Sequence, residues 1–260
     1  MTTTVDNGTI ADLANQYFEE VTSILDRIRT EELESIEKAA RLVAEQVRSD
    51  RLVHVYGPGG HSNLAAQEVF FRAGGLMHIS AILDEGTLLS NGASRSMAME
   101  RLPGYGRLVI DEWELGEDDL LILVNAYGIN SALIDAAVAA HERGATVIGV
   151  SSRGHAEGTP LEHPARHPSR QNVHDLVDVA VDTKVPVGDA VISVPGVSEQ
   201  IGAVSTFANA YAMQLIVMGA VALLAESGMD VPIWRSGNAT GGDEVSQRHR
   251  GRFRKRVRLL

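Results

Sequence analysis

The sequence predicts an α/β fold: a doubly wound, mainly parallel sheet flanked by helices, with a helical extension at the N-terminus. Three observations carry that expectation. Short apolar runs rich in β-branched residues alternate with stretches of helical periodicity. One run, Leu120-Leu-Ile-Leu-Val124, contains no polar residue, as a strand covered on both faces requires. The first run ends in a glycine-rich turn, Gly57-Pro-Gly-Gly-His-Ser62, and a helical stretch follows.

Residues 9–49 read as two amphipathic helices. Ile10, Leu13, Ala14, Tyr17, Phe18, Val21, Ile24, Leu25 and Ile28 recur at three- and four-residue steps, and Leu33, Ile36, Ala39, Ala40, Val43 and Val47 repeat the pattern. Thr30, followed by acids, is expected to cap the second helix. These helices must bury a face on the main domain or on another subunit. Arg51–Tyr56 is the first strand, with helix from the glycine turn to about Gly74, and Leu76–Leu83 is the second strand. Residues 85–101 are helical or irregular, and Leu108–Ile110 adds a short strand. Asp119–Ala126 and Ala145–Ser151 are strands either side of a helix over 131–143. A Pro- and His-rich loop spans 152–175, Val177–Asp182 and Ala190–Val194 are further strands, and one long helix rich in small residues covers 198–227. The chain divides into a helical extension (1–50), an α/β domain (51–244) and a basic tail (245–260).

Composition bounds the chemistry. Among 260 residues there is no cysteine, which excludes disulfides, a thiolate nucleophile and cysteine-ligated metals. The net charge of −11 argues against nucleic-acid or anionic-membrane partners. The charge is also uneven. Seven Lys/Arg and no acid lie between Arg248 and Arg258, leaving 16 basic against 34 acidic groups elsewhere, a net of −18. The tail is expected to be a solvated, disordered end, or an arm docking its arginines on a neighbouring subunit. The start, MTTTVDNGTIADL, has neither a basic n-region nor an apolar h-region. No stretch has the uninterrupted apolar length of a membrane span, so a cytoplasmic protein is expected.

In open α/β sheets ligands bind outside the carboxyl ends of the strands. Two turns stand out there. Gly59, Gly60 and Ser62 lie in the first, where glycine lets backbone approach a ligand and a helix N-terminus favours an anion. Asn125-Ala-Tyr-Gly-Ile-Asn-Ser131 is the second, with Asn125, Tyr127, Gly128, Asn130 and Ser131 offering neutral donors around one glycine. Ser151 ends the strand over 145–151 and adds a hydroxyl. A dinucleotide fingerprint fits imperfectly: Gly57-x-Gly59 precedes Asp84 at a plausible spacing, but Ser62 takes the third small position. A phosphate-binding P-loop is excluded because no Gly-Lys-Ser/Thr is present. A third reading is a phosphosugar site, with hydroxyls and amides wrapping one phosphate and a polyol.

The two turns resemble those of the sugar isomerase (SIS) domain family. A closer resemblance is to an uncharacterised bacterial subfamily that is itself similar to phosphoheptose isomerases. It rests on Gly60-His-Ser62, Glu68-Val-Phe-Phe-Arg-Ala-Gly-Gly75, Glu100-Arg-Leu-x-Gly-Tyr-Gly106, Arg166-His-Pro-Ser169, Gly188-Asp-Ala190 and Gly241-Gly-Asp-Glu244, in that order over about residues 10–244. The chain departs from the family at Asn125 and Tyr127, which stand where serines are usual. The basic tail has no counterpart in the pattern.

The resemblance implies a phosphorylated-sugar substrate and no redox cofactor, while the long small-residue helix and the N-terminal helices point to a homodimer or homotetramer. It also implies an aldose–ketose isomerase working through an enediol. Glu68 is one candidate base, set among Val69, Phe70 and Phe71, where desolvation would raise its pKa; the alternative is an ion pair with Arg72. Glu199 is the other, near the start of the long helix, where family members use a Glu or His. His61 and His167 are candidates to move the hydroxyl proton or open the ring. Arg166 is a candidate for the phosphate. The histidines match no metal-binding spacing. A lyase or deglycase on the same site and a non-catalytic phosphosugar sensor are the alternative functions.

Overall fold

The computed structural model describes residues 7–260, except the side chains of Asn7, Gly8, Val245 and Arg248. The first six residues of the N-terminal stretch read above therefore lie outside the described part. Helices α1 (Asn7–Glu31) and α2 (Leu33–Arg48) precede strand β1 (Val53–Tyr56). Then follow α3 (Ser62–Val69), β2 (Ile79–Ile82), α4 (Ala93–Arg101), α5 (Tyr105–Glu112), β3 (Leu120–Val124), α6 (Ser131–Glu142), β4 (Thr146–Ser151), α7 (Arg153–Gly158) and β5 (Val179–Asp182). A hairpin of β6 (Ala190–Ile192) and β7 (Ile201–Ala203) leads into α8 (Ser205–Glu226), and α9 (Gly242–Phe253) follows near the end.

The main sheet has the order β2-β1-β3-β4-β5, and every pair is parallel. Alternate residues of β3 face opposite layers. Leu120, Ile122 and Val124 pack with α1, α2, α3 and α8, whereas Leu121 and Leu123 pack with α5 and α6. Both faces are therefore dry, which is why the run carries no polar residue. The chain reverses its winding between β1 and β3, so a crevice opens at their carboxyl ends. Gly57–Ser62 follows one of these strands and Asn125–Ser131 the other.

Several local expectations are corrected. Residues 108–110 form no strand. They lie in α5, where Leu108 is exposed and Val109 and Ile110 are buried against α6. A side chain at Gly106 would collide with the Ala132 carbonyl, so this glycine sets how closely the two helices approach. The long helix begins at Ser205, because residues 201–203 pair with 190–192 in an antiparallel hairpin outside the main sheet. Thr30 does not cap α2; its hydroxyl bonds back to the Asp26 carbonyl inside α1, 2.8 Å away. By length and composition α8 is apolar enough to cross a membrane. Here Ala208, Ala212, Met213, Ile216 and Ala220 are buried in the core shared with α2 and the sheet.

The basic segment is neither disordered nor extended. Phe253 and Val257 are buried with Met77 and Trp234, and the His78 ring meets Phe253 edge-on at 4.7 Å. Arg252 and Arg256 reach Asp50 at 2.5 and 2.9 Å, and Arg258 reaches Glu112 at 2.6 Å. Burial alone would raise the Asp50 carboxyl, but hydrogen bonds from Arg256, Arg252 and His78 hold it down at about 2. The arginines thus meet acids of their own chain. Phe253→Ala is expected to cost about 3–5 kcal/mol through lost burial and the cavity left behind. Urea denaturation would show this as a lower midpoint at unchanged slope; an unchanged midpoint would mean the segment contributes nothing to the fold.

Candidate functional site

A cleft lies over the carboxyl ends of β1 and β3. It has two chambers, of about 250 and 290 Å³, which share Glu100, Arg101 and Tyr127. The first is lined by Gly59, Gly60, His61 and Ser62 from the glycine turn, and by Asp189, Ser205 and Asn209 around the start of α8. The second is lined by Asn130, His155, His163 and neighbouring backbone. The N-termini of α3 and α8 thus border one chamber, and the dipole at the start of α3 favours an anion there.

Asn125 ties the two turns together. It is buried, and its Oδ1 accepts from the Tyr127 and Gly128 amides at 2.9 and 3.0 Å. Its Nδ2 donates to the Pro58 carbonyl (3.0 Å), Ser62 Oγ (3.3 Å) and Glu100 Oε1 (3.2 Å). Gly128 takes a left-handed φ of +71°, and the space beside it holds the Ser151 hydroxyl. Asn125 thus organises the crevice from below. Asn125→Ala removes all five bonds and leaves buried partners unsatisfied. An expected loss of about 2–4 kcal/mol follows; calorimetry showing a full wild-type Tm would refute this role.

Glu100 is the charged group at the centre. It lies in the last turn of α4, and its carboxyl lies on Gly59: a Cβ there would sit 2.8 Å from it. Only a residue without a side chain admits the carboxylate, and the Gly59 φ of +111° also favours glycine. Burial pushes the Glu100 carboxyl up to about 7, against the opposing pull of the Asn125 hydrogen bond and the nearby Arg101 charge. The neighbouring Arg101 is exposed and makes no ion pair among the described residues, so its guanidinium is available at the rim of both chambers. Asn209 is buried, and its Oδ1 lacks a partner while its residue borders the first chamber. Asp189 caps α8, accepting from the amides of Val204 and Ser205 and from the Ser205 hydroxyl at 3.0, 2.7 and 2.7 Å. Tyr127 stacks on His155 with ring centroids 4.3 Å apart, and burial raises its hydroxyl pKa.

The predicted residues divide. Gly59, Gly60, His61, Ser62 and Tyr127 border the first chamber; Tyr127 and Asn130 border the second. Asn125, Gly128 and Ser151 support the cleft from beneath, and Ser131 is buried at the start of α6 with its hydroxyl unpartnered. The four others are placed elsewhere. Glu68 accepts from Gln214 at 3.1 Å and pairs with Arg72 at 3.3 Å, outside the cleft lining. Glu199 is exposed in the β6–β7 connection, bonded to Ser198. His167 pairs with Asp135 at 3.2 Å, and its other ring nitrogen meets Ser169 at 2.7 Å. Arg166 is buried, and each of its three guanidinium nitrogens bonds within its own loop, to the carbonyls of Ala156, Thr159 and Pro160 and to Asn172 Oδ1. It folds the 156–172 loop and lines neither chamber. Glu100, Arg101, Asp189 and Asn209 were missed as site residues. Among the described residues no group of three or more His, Asp or Glu side chains is placed to hold a metal ion.

A parallel five-stranded sheet flanked by helices defines a doubly wound α/β class. The chain belongs to the SIS-domain family, whose model matches residues 16–152. It is 32% identical over 248 residues to a UPF0309 protein of Geobacillus kaustophilus, covering 95% of this chain and 97% of that one. A UPF0309 protein of Streptomyces griseus is 35% identical over 247 residues, covering 94% and 96%. Among solved structures, phosphoheptose isomerase from Neisseria gonorrhoeae superposes with a TM-score of 0.54 at 16% identity, over 83% of this chain and 99% of that one. A phosphoheptose isomerase from Francisella tularensis gives 0.50 at 14%, over 81% and 96%. At such identities the likeness is one of fold.

Proposed function

We propose that this protein is an aldose–ketose isomerase acting on a phosphorylated sugar through an enediol, with Glu100 as the base. One observation carries the reading: a carboxyl group held near pKa 7 inside a cleft walled by helix N-termini and neutral donors. A base at that value is half-ionised at neutral pH, where general-base catalysis is most effective. Glu100 takes the proton from the carbon next to the carbonyl, exchanges it with solvent while the enediol is bound, and delivers a proton to the neighbouring carbon, so no redox cofactor is required. His61, exposed at the chamber rim, moves the proton between the two oxygens. Arg101 and the start of α3 hold the phosphate, and Asn209 and Tyr127 meet sugar hydroxyls. Such an enzyme works in the cytoplasm. The exposed apolar residues Ile10 and Phe18 of α1 are suited to pairing with a second copy.

The test is conversion of five- to seven-carbon aldose and ketose phosphates, followed by NMR. At least one phosphorylated sugar should interconvert, and its unphosphorylated counterpart should not. Binding without conversion across the whole panel would refute the isomerase and leave a sensor.

A further inference from the structure

A second cavity, of about 510 Å³, lies outside the cleft. Its walls come from the segment after α3, from the 234–237 turn and from α9. The first two are zipped together: the Gly74 amide donates to the Trp234 carbonyl at 2.8 Å and the Trp234 amide to the Gly75 carbonyl at 2.9 Å. Ser246 on α9 bonds the Arg235 carbonyl at 3.2 Å and closes the third side.

Two aromatic residues line this cavity, Phe71 and Trp234, and their rings meet edge to face with centroids 4.7 Å apart. Trp234 is almost wholly buried, whereas Phe71 is half exposed. Phe71 also holds a φ of +48°, which costs a bulky residue energy and persists where the surroundings or a function require it. Three arginines line the same space, Arg72, Arg235 and Arg250, against one acid, Asp243. Arg72 is drawn to Glu68, but Arg235 and Arg250 have no ion-pair partner among the described residues. In a chain with 34 acids, two arginines without acidic partners beside two aromatic rings form a site with a definite chemistry. Guanidinium groups bind phosphate in a fork and stack on flat rings, and ring faces and edges accept a flat heterocycle.

We propose that this cavity binds a nucleotide-sized ligand: a flat heteroaromatic ring against the exposed Phe71, next to Trp234, carrying a phosphate held by Arg235 and Arg250. The volume falls in the range of small-molecule sites. The site shares no lining residue with the cleft, so it stands whether or not the isomerase reading does.

The chain has two tryptophans, so Trp113→Phe leaves Trp234 as the sole reporter of fluorescence excited at long wavelength. Titration of that variant with AMP should give saturable quenching with a midpoint below about 1 mM. Adding Arg235→Ala and Arg250→Ala should weaken the midpoint about tenfold or more, in line with the loss of charge-assisted hydrogen bonds. Adding Glu100→Gln instead should leave it unchanged. Adenosine and inorganic phosphate, each alone, should respond far more weakly. No saturable change with AMP would overturn the proposal. So would quenching that survives the double arginine change, or phosphate alone matching AMP.

Discussion

Replacing Glu100 by Gln is expected to lower kcat about 10²- to 10⁴-fold on whichever phosphosugar the wild type converts, the range that a positioned general base supplies. Glutamine keeps the length of the side chain and an oxygen that can accept from Asn125 Nδ2, so the cleft should keep its shape and KM should move little. That pattern, kcat falling with KM nearly constant, marks an interaction made only in the transition state. Glu68→Gln and Glu199→Gln are the contrasting changes. The first disturbs a bond to Gln214 and a pair with Arg72 outside the cleft; the second touches an exposed carboxylate in a hairpin connection. Both should stay within a few-fold of wild type. If either of them abolishes turnover while Glu100→Gln does not, the base has been misassigned. The wild-type rate should rise with pH through a midpoint near 7, because only the ionised Glu100 abstracts a proton.

The second large effect is on stability. The Glu100 carboxyl is raised from its ordinary value near 4.5 to about 7 in the folded chain. Between those values the folded chain keeps a proton that the unfolded chain has released. Stability therefore falls as pH rises across that window and stays lower above it. The penalty at pH 8 is about 3 kcal/mol, an upper figure because the residue is only half-buried. Glu100→Gln removes the titration. The variant should match wild type near pH 4.5 and exceed it by up to that amount at pH 8, read from denaturation midpoints at both values. A variant less stable than wild type at pH 8 would mean that the ionised carboxylate is held comfortably and that its raised value is wrong. Gain of stability with loss of turnover is the expected behaviour of a group kept in an unfavourable setting for function.

Much of the architecture was legible because strong local signals coincide with it. Leu120–Val124 and Ala145–Ser151 could be placed as buried strands from apolar content alone, and the glycines after Tyr56 marked the turn over the sheet. Leu108-Val-Ile110 misled because a β-branched run is ambiguous when short. The feature that decides it, the fit of Gly106 against Ala132, is a contact between helices distant in sequence. The 198–204 segment reads as the start of the long helix because the pairing of 201–203 with 190–192 leaves no local mark. The tail was read by its charge, which hid Phe253 and Val257 four residues apart on one buried face.

The site was legible in its backbone and not in its carboxylate. Both turns were found because glycine and asparagine mark unusual backbone. Glu68 looked buried because Val69, Phe70 and Phe71 surround it in sequence, yet α3 ends at Val69 and Phe71 turns outward. Glu100 sits in Ser96-Met-Ala-Met-Glu100-Arg101, which shows no sign of burial. Its desolvation arises only when α4 crosses Gly59. The available signal was a pairing: a glycine with room for a foreign group, and a glutamate within a stretch that resembles the subfamily. Arg166 misled in the opposite sense, since a buried arginine can serve carbonyls of its own loop as readily as an anion.

The most direct test follows the carbon-bound hydrogen. A phosphosugar converted by the wild type is incubated with it in D2O and the proton next to the carbonyl is watched by NMR. Deuterium should enter that position with the wild type, at a rate rising through pH 7, and should fail to enter with Glu100→Gln. Turnover or exchange at the wild-type rate in Glu100→Gln would contradict proton transfer through Glu100.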